Sequence, residues 1–281
     1  MEKKSTKIDW ILFGVLVVLA ILFLAPIFLV LTNSFKSQLF IFGTGGKFFK
    51  LPNKESFVGF DNYINGAKKI GIFSAAGYSL WITIASVLLI VVCTAMTGWY
   101  ITRVKNKFTS FLYYFFVFSM IVPFQMVMFT MSKLANELHL DNKFGIIIIY
   151  LGFGAGLSVF MYCGFVKAIP YEIEEAAMID GCNPFRIFCN IIVPMLKPTM
   201  ITVAILNAMW IWNDFLLPFL VIGTKFRTIP VAIQYLKGGY GSVAWGDMMA
   251  MLLVALIPII VFYLACQKYI IKGVAAGAVK G

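Results

Sequence analysis

Asp214 is the one ionisable residue lying well inside a long apolar run of this 281-residue sequence. It stands in Asn207-Ala-Met-Trp210-Ile-Trp212-Asn213-Asp214-Phe215, within the stretch Ile201 to Ile222. A carboxylate held in hydrocarbon is costly even on lenient insertion scales, so it must face protein or water. Helical spacing sets Asn207, Trp210 and Asp214 close to one face, with Asn213 about a third of a turn away. An indole ring can cover the C–H face of a sugar while amides and a carboxylate bond its hydroxyls, which makes this face a candidate carbohydrate path. A polar clamp between two helices would use the same residues. Catalysis lacks parts: His139 is the sole histidine, and the five cysteines form no CxxC pair. No metal-ligand cluster can be assembled from this inventory. The stretch FGTGGKF falls short of a phosphate loop, because Ile41 stands where the first glycine is needed and Phe48 follows Lys47 in place of Ser or Thr.

A second polar island runs from Pro170 to Pro198, PYEIEEAAMIDGCNPFRIFCNIIVPMLKP, between two apolar runs. Pro170 suits the first turn of a helix, where no intrahelical N–H is lost. Glu172, Glu174 and Glu175 follow, where the helix dipole favours negative charge. Ile173, Ala176 and Ala177 share one face at i, i+3, i+4 spacing. Gly181 can stop the helix in a left-handed cap, and Asn183-Pro184 can restart it as N-cap and N1. Pro194 and Pro198 are expected to close the segment. The expectation is two short helices at a glycine elbow, outside the membrane, with a small-residue face that lets another protein approach. The plainer alternative is an ordinary loop of a membrane protein.

The elements that hold these residues are apolar helices. The chain is 61% hydrophobic and 12% charged, which excludes an ordinary soluble domain, where roughly a quarter of residues are charged. Ile11 to Leu31 is uninterrupted and long enough to span a bilayer; it lacks a small-residue cleavage site and reads as a retained first span. Five more follow at Leu80–Ile101, Phe111–Met131, Phe144–Val166, Ile201–Ile222 and Met248–Ile271. Six spans put both ends on one side. With both ends inside, twelve Lys and Arg lie on the cytoplasmic side and eleven outside, or five once the long connection 32–77 is set apart. The net charge of +11 is spread over loops and ends, so no basic patch for nucleic acid forms. Pro26, Pro123, Pro218 and Pro258 fall within spans and are expected to kink them, either as fixed packing features or as hinges.

The order Glu175-Ala176-Ala177, Asp180-Gly181, Phe188, Ile192, Pro194 and Pro198 resembles the EAA loop of ABC-importer permease subunits. WNDFLLP (Trp212 to Pro218) is similar to the fifth span of sugar-importer permeases. The likeness extends to Phe60-Asp61-Asn62-Tyr63, Thr228-Ile229-Pro230-Val231, Trp245-Gly246, Gln267-Lys268-Tyr269 and the ending Gly273 to Gly281. Together these resemble the maltose-type subgroup of carbohydrate importers, as the second permease of a heterodimer. The chain departs from the pattern at Tyr78-Ser79 and at Gly98-Trp99-Tyr100.

The resemblance implies an all-α polytopic membrane protein with six transmembrane helices in the type I ABC importer permease fold. Its organisation would be a cytoplasmic N-terminus (1–10), a first span (11–31), an extracytoplasmic connection (32–73), a core (74–270) with the coupling loop at 170–198, and a cytoplasmic tail (271–281). It implies a bacterial or archaeal inner membrane, both termini cytoplasmic, and no cofactor in this chain, with ATP and Mg on the partner. The implied partners are a second permease, two ATPase subunits, an extracytoplasmic sugar-binding protein, the sugar and membrane lipid, and no nucleic acid. In that reading Glu175, Ala176, Ala177, Asp180 and Gly181 meet the ATPase, with Glu175 pairing a basic residue there. Asn207, Trp210, Asn213 and Asp214 lie toward the translocation path. The alternative is an ion-coupled secondary transporter using Asp214 as its site. Such folds usually carry internal repeats and broken helices near the midplane, and neither is evident in the sequence.

Overall fold

The computed structural model describes residues 7–42, 47–237 and 243–278. Expectations for Lys3, Lys4, the glycine-rich residues 43–46 and Lys280 lie outside the described residues. In order, the helices are α1 (Lys7–Ser34), α2 (Gln38–Phe42), α3 (Asp61–Ile70), α4 (Ile72–Arg103), α5 (Lys107–Ile121), α6 (Phe124–Glu137) and α7 (Gly145–Val166). Then come α8 (Glu172–Ile179), α9 (Pro184–Ile187), a π-helical turn (Phe188–Ile192), α10 (Val193–Asn213), α11 (Leu216–Val221), α12 (Ile229–Gln234) and α13 (Trp245–Ala278). No sheet forms among the described residues; the only β pairings are isolated bridges. Among the described residues five helices are long and apolar enough to cross a membrane, and six spans result if α5 and α6 count as one.

Two of the expected spans differ in shape. The stretch Phe111–Met131 is not one helix: α5 and α6 meet at 107° across Val122-Pro123. Pro123 has no N–H to continue the ladder, and it forces Val122 into an extended conformation (φ −74°, ψ 114°). The stretch Ile201–Ile222 begins earlier and breaks later, with α10 ending at Asn213 and α11 starting at Leu216. Pro194 and Pro198 do not close the polar island. The chain passes from α9 through the π turn into α10 as one continuous helical rod. The wide turn lies just before Pro194, whose ring would otherwise crowd the preceding carbonyls. Pro26 and Pro258 sit inside continuous helices. Pro218 falls in the first turn of α11, where its missing N–H has no intrahelical partner to lose.

Two compact units form, one from residues 1–73 with 232–258, the other from 74–231 with 259–281. In the first, Asn62 Nδ2 donates to the carbonyls of Ser34 (2.7 Å) and Lys36 (2.8 Å). A Cβ on Gly246 would stand 2.6 Å from that amide nitrogen, so two of the motifs singled out in the sequence meet here. Lys69 pairs with Asp247 at 2.5 Å. Lys36 is buried, donating to Asn33 Oδ1 (3.0 Å) and to the carbonyls of Lys47 (2.9 Å), Phe48 (3.3 Å) and Lys50. Burial pushes its ammonium below the usual lysine range. One cation thereby closes off the backbone of residues 47–50, which no helix satisfies. The apolar centre of α1 is uncovered by its own chain, so lipid or another protein must cover it.

In the second unit α7 is the central rod. Its small residues let neighbours come close, as membrane interfaces favour. A Cβ on Gly154 would stand 2.7 Å from both Asn207 Oδ1 and Ile90 Cδ1, and one on Gly156 would stand 2.9 Å from the Phe116 carbonyl. From α4, Gly98 lies against Tyr162, whose Cβ would be 2.6 Å from an added Cβ. The Cys163 thiol donates to the Gly98 carbonyl at 3.5 Å. We expect Gly98→Leu to cost about 1–3 kcal/mol through overpacking, seen as a lower unfolding midpoint of the purified protein in detergent. Gly164→Leu is the control, since a Cβ there meets nothing within 4 Å, and should leave the midpoint unchanged.

Candidate functional site: the elbow and the broken fifth span

The polar island folds as an elbow of two short helices. The first begins at Glu172, two residues after Pro170, with Tyr171 as its N-cap. Its end is a Schellman cap. The Gly181 N–H donates to the Met178 carbonyl (3.0 Å), the Cys182 N–H donates to the Ala177 carbonyl (2.9 Å), and Gly181 holds φ at 81°. Asn183 then caps α9, its side chain accepting from the Arg186 N–H at 2.8 Å, with Pro184 at N1. This local grammar of Gly, Asn and Pro was readable from the sequence.

The faces of α8 differ from the expected small-residue face. Ala177 is buried, so it does not present itself outward beside Ala176. Glu174 shares that inner face at i, i+3 and is only 1% exposed. Its carboxylate is fully engaged: Arg103 Nε donates to Oε1 (2.7 Å) and Trp99 Nε1 donates to Oε2 (2.9 Å). Arg103 also donates through Nη2 to the Ile169 carbonyl (3.0 Å) and lies over the Tyr171 ring. The outer face carries Glu175, Ala176, Met178 and Asp180, with Ile179 87% exposed. Spacing alone did not separate Glu174 from its two acidic neighbours. The available signal was the Trp99…Arg103 pair at i, i+4 on the last turn of α4.

The four residues of the fifth span do not form one helical face, because α10 ends before Asp214. Asn207 is buried on α10, donating to Ser158 Oγ (3.2 Å) and to the Val203 carbonyl (2.9 Å), and so ties α10 to α7. Asn213 is exposed and donates to the Met209 carbonyl at 2.7 Å. Asp214 sits at the break. Its Oδ1 accepts from the Leu216 N–H (3.0 Å), starting α11, and its Oδ2 accepts from the Tyr150 hydroxyl (3.0 Å). Trp210 remains half exposed, and its ring meets Tyr150 edge to face at 5.5 Å. Tyr150, hidden in an apolar run, is what gathers Trp210 and Asp214. Nothing in the sequence sets it apart from Ser158 and Tyr162, the other hydroxyl side chains of that span.

A family model described as binding-protein-dependent transport system inner membrane component matches residues 90–276. The chain is 40% identical over 265 residues to the probable starch degradation products transport system permease protein AmyC of Thermoanaerobacterium thermosulfurigenes, covering 94% of each. It is 34% identical to the multiple sugar-binding transport system permease protein MsmG of Streptococcus mutans, over 99% of this chain and 100% of that one. Among solved structures, a chain of a bacterial ABC transporter involved in the import of the acidic polysaccharide alginate shares the fold. The TM-score is 0.77 at 21% identity, covering 96% of this chain and 99% of that one. The fold is that of a type I ABC importer permease, and these likenesses do not favour the ion-coupled alternative. The chain belongs to the family of binding-protein-dependent transport system inner membrane components.

Proposed function

We propose that the chain is a permease subunit of an ATP-driven importer for an oligosaccharide or related sugar, with the Glu172–Gly181 elbow as its contact with an ATPase. The observation that carries this is an exposed helix face, Glu175, Ala176, Met178 and Ile179, ended by a left-handed glycine in the residue order of the EAA loop. The sugar class rests on the names of the relatives AmyC and MsmG. An extracytoplasmic binding protein delivers the sugar, a second permease completes the pathway, and two partner ATPases bind ATP and Mg; this chain does no hydrolysis itself. Both termini lie on the cytoplasmic side with the elbow.

Coupling requires that ATP-bound and ATP-free ATPases hold the elbow in different positions, because a ligand shifts a conformational equilibrium only through differential contacts. Glu175 and Asp180 supply charge to that contact, Ala176 lets the partner approach, and Ile179 offers it apolar area. On the other side of the mechanism, Trp210 and Asn213 face the translocation path. Asn207 and Asp214 support that face from behind, one by tying helices together and the other by capping the break.

The first test is purification of the tagged chain from its native membranes in mild detergent. Co-purification of an ATPase, a second permease and a binding protein, with hydrolysis stimulated by a sugar, is the expected result. A chain that purifies alone, with or without ATP, would overturn the reading. In the reconstituted complex, Gly181→Pro forbids the positive φ and removes the N–H bonded to Met178, so insertion should persist while uptake is lost and hydrolysis no longer responds to sugar. Normal uptake by this variant would remove the elbow from the mechanism. Asp214→Ala should lower the unfolding midpoint by a cost of about 1 kcal/mol, as for a lost N-cap. Trp210→Phe, which keeps a ring against Tyr150, should instead reduce uptake and leave the midpoint nearly unchanged. Reversed effects would exchange the two roles.

A further inference from the structure

We propose that Glu174 and Arg103 are positioning residues that lock the elbow to the second span, so that α8 and α4 move as one body during transport. The inference rests on the importer reading above, and it concerns which span receives the motion first. Glu174 is the inward member of an acidic trio whose other two residues are exposed. Both of its oxygens are taken by donors from the last turn of one helix, Trp99 and Arg103. Arg103 uses a second arm on the Ile169 carbonyl, just before α8, and stacks on Tyr171. The planar guanidinium therefore bridges the carboxylate and the entry turn in one fixed geometry, which a lysine could not reproduce.

Trp99 extends the lock past the elbow, its ring lying 5.4 Å from that of Phe188 at the start of the π turn. The end of α4 thus holds the segment before α8, α8 itself and the segment after α9. A buried carboxylate satisfied by a half-buried guanidinium cannot slide away cheaply, because separation would leave the Glu174 charge buried and uncompensated. A push on the outer face of α8 is carried into α4 as a rigid displacement.

The test uses the complete complex with its co-purifying subunits, reconstituted in vesicles, measuring sugar taken up per ATP hydrolysed. In Glu174→Gln and Trp99→Phe the buried volume is nearly kept and the outer face of α8 is untouched. We expect the complex to assemble and hydrolyse ATP, with sugar moved per ATP falling about ten-fold in Glu174→Gln, within the range typical of coupling between sites, and less in Trp99→Phe. Arg103→Lys, which keeps charge without the fork, should fall between wild type and Arg103→Ala. A purely structural role lowers uptake and hydrolysis together and leaves the ratio unchanged; that result overturns the proposal. So does failure of both conservative variants to assemble, which would assign the pair to folding. Wild-type complex without sugar-stimulated hydrolysis would instead fail the importer reading, an outcome visible before any variant is made.

Discussion

In a chain that spends most of its length in hydrocarbon, every backbone N–H and C=O must find a partner within the protein. That constraint explains the regular spans, and outside the hydrocarbon the same need is met wherever backbone is buried from water. Helices are long wherever the sequence is uniformly apolar, and each departure comes with a device that satisfies the freed groups. At Asp214 the device is a carboxylate that accepts the first N–H groups of α11 and is steadied by Tyr150. At Gly181 it is a pair of backbone bonds closing a left-handed cap. Around residues 47–50 it is the Lys36 ammonium, buried among carbonyls. At Pro123 the proline itself removes the donor that would have gone unpaired.

The same constraint ties the two functional regions to one scaffold. The central rod α7 carries glycines where α4, α5 and α10 approach: Gly154 receives the side chains of Ile90 and Asn207, and Gly156 lies against the Phe116 carbonyl. Asn207 and Ser158 fasten α10 to that rod, and Gly98 sets α4 against it. The end of α4 then grips the elbow through Trp99 and Arg103. Two interior polar pairs, Asn207 with Ser158 and Tyr150 with Asp214, fasten α10 and its end to α7.

What could be read from the sequence followed from local rules. The elbow, its glycine cap and its Asn-Pro restart are encoded within a few residues, and they fold as those residues dictate. The apolar runs announced their helices for the same reason. Burial was not readable, because it depends on partners distant in the chain. Three glutamates in four residues look alike until α4 arrives to claim Glu174 and leave Glu172 and Glu175 outside. Asn207 and Asp214 looked like one polar stripe because the spacing assumed an unbroken helix. The break removes Asp214 from that stripe and returns it to the neighbourhood of Trp210 only through Tyr150, a residue more than sixty positions away. Local rules make Pro194 and Pro198 terminators, whereas the widened turn before Pro194 lets the helix run on.

That widened turn also sets a phase. A π turn inserts one extra residue into a helical path, and each residue of an α-helix rotates the chain by about 100°. Everything beyond Phe188–Ile192 is therefore turned relative to an uninterrupted helix from Pro184. With the turn in place, Asn207 meets Ser158. Were one residue removed from it, the whole of α10 would rotate by more than a quarter of a circle, carrying the Asn207 amide away from α7 and bringing the opposite flank round in its place. Five residues near the elbow thus act as the vernier by which a distant polar pair is aimed.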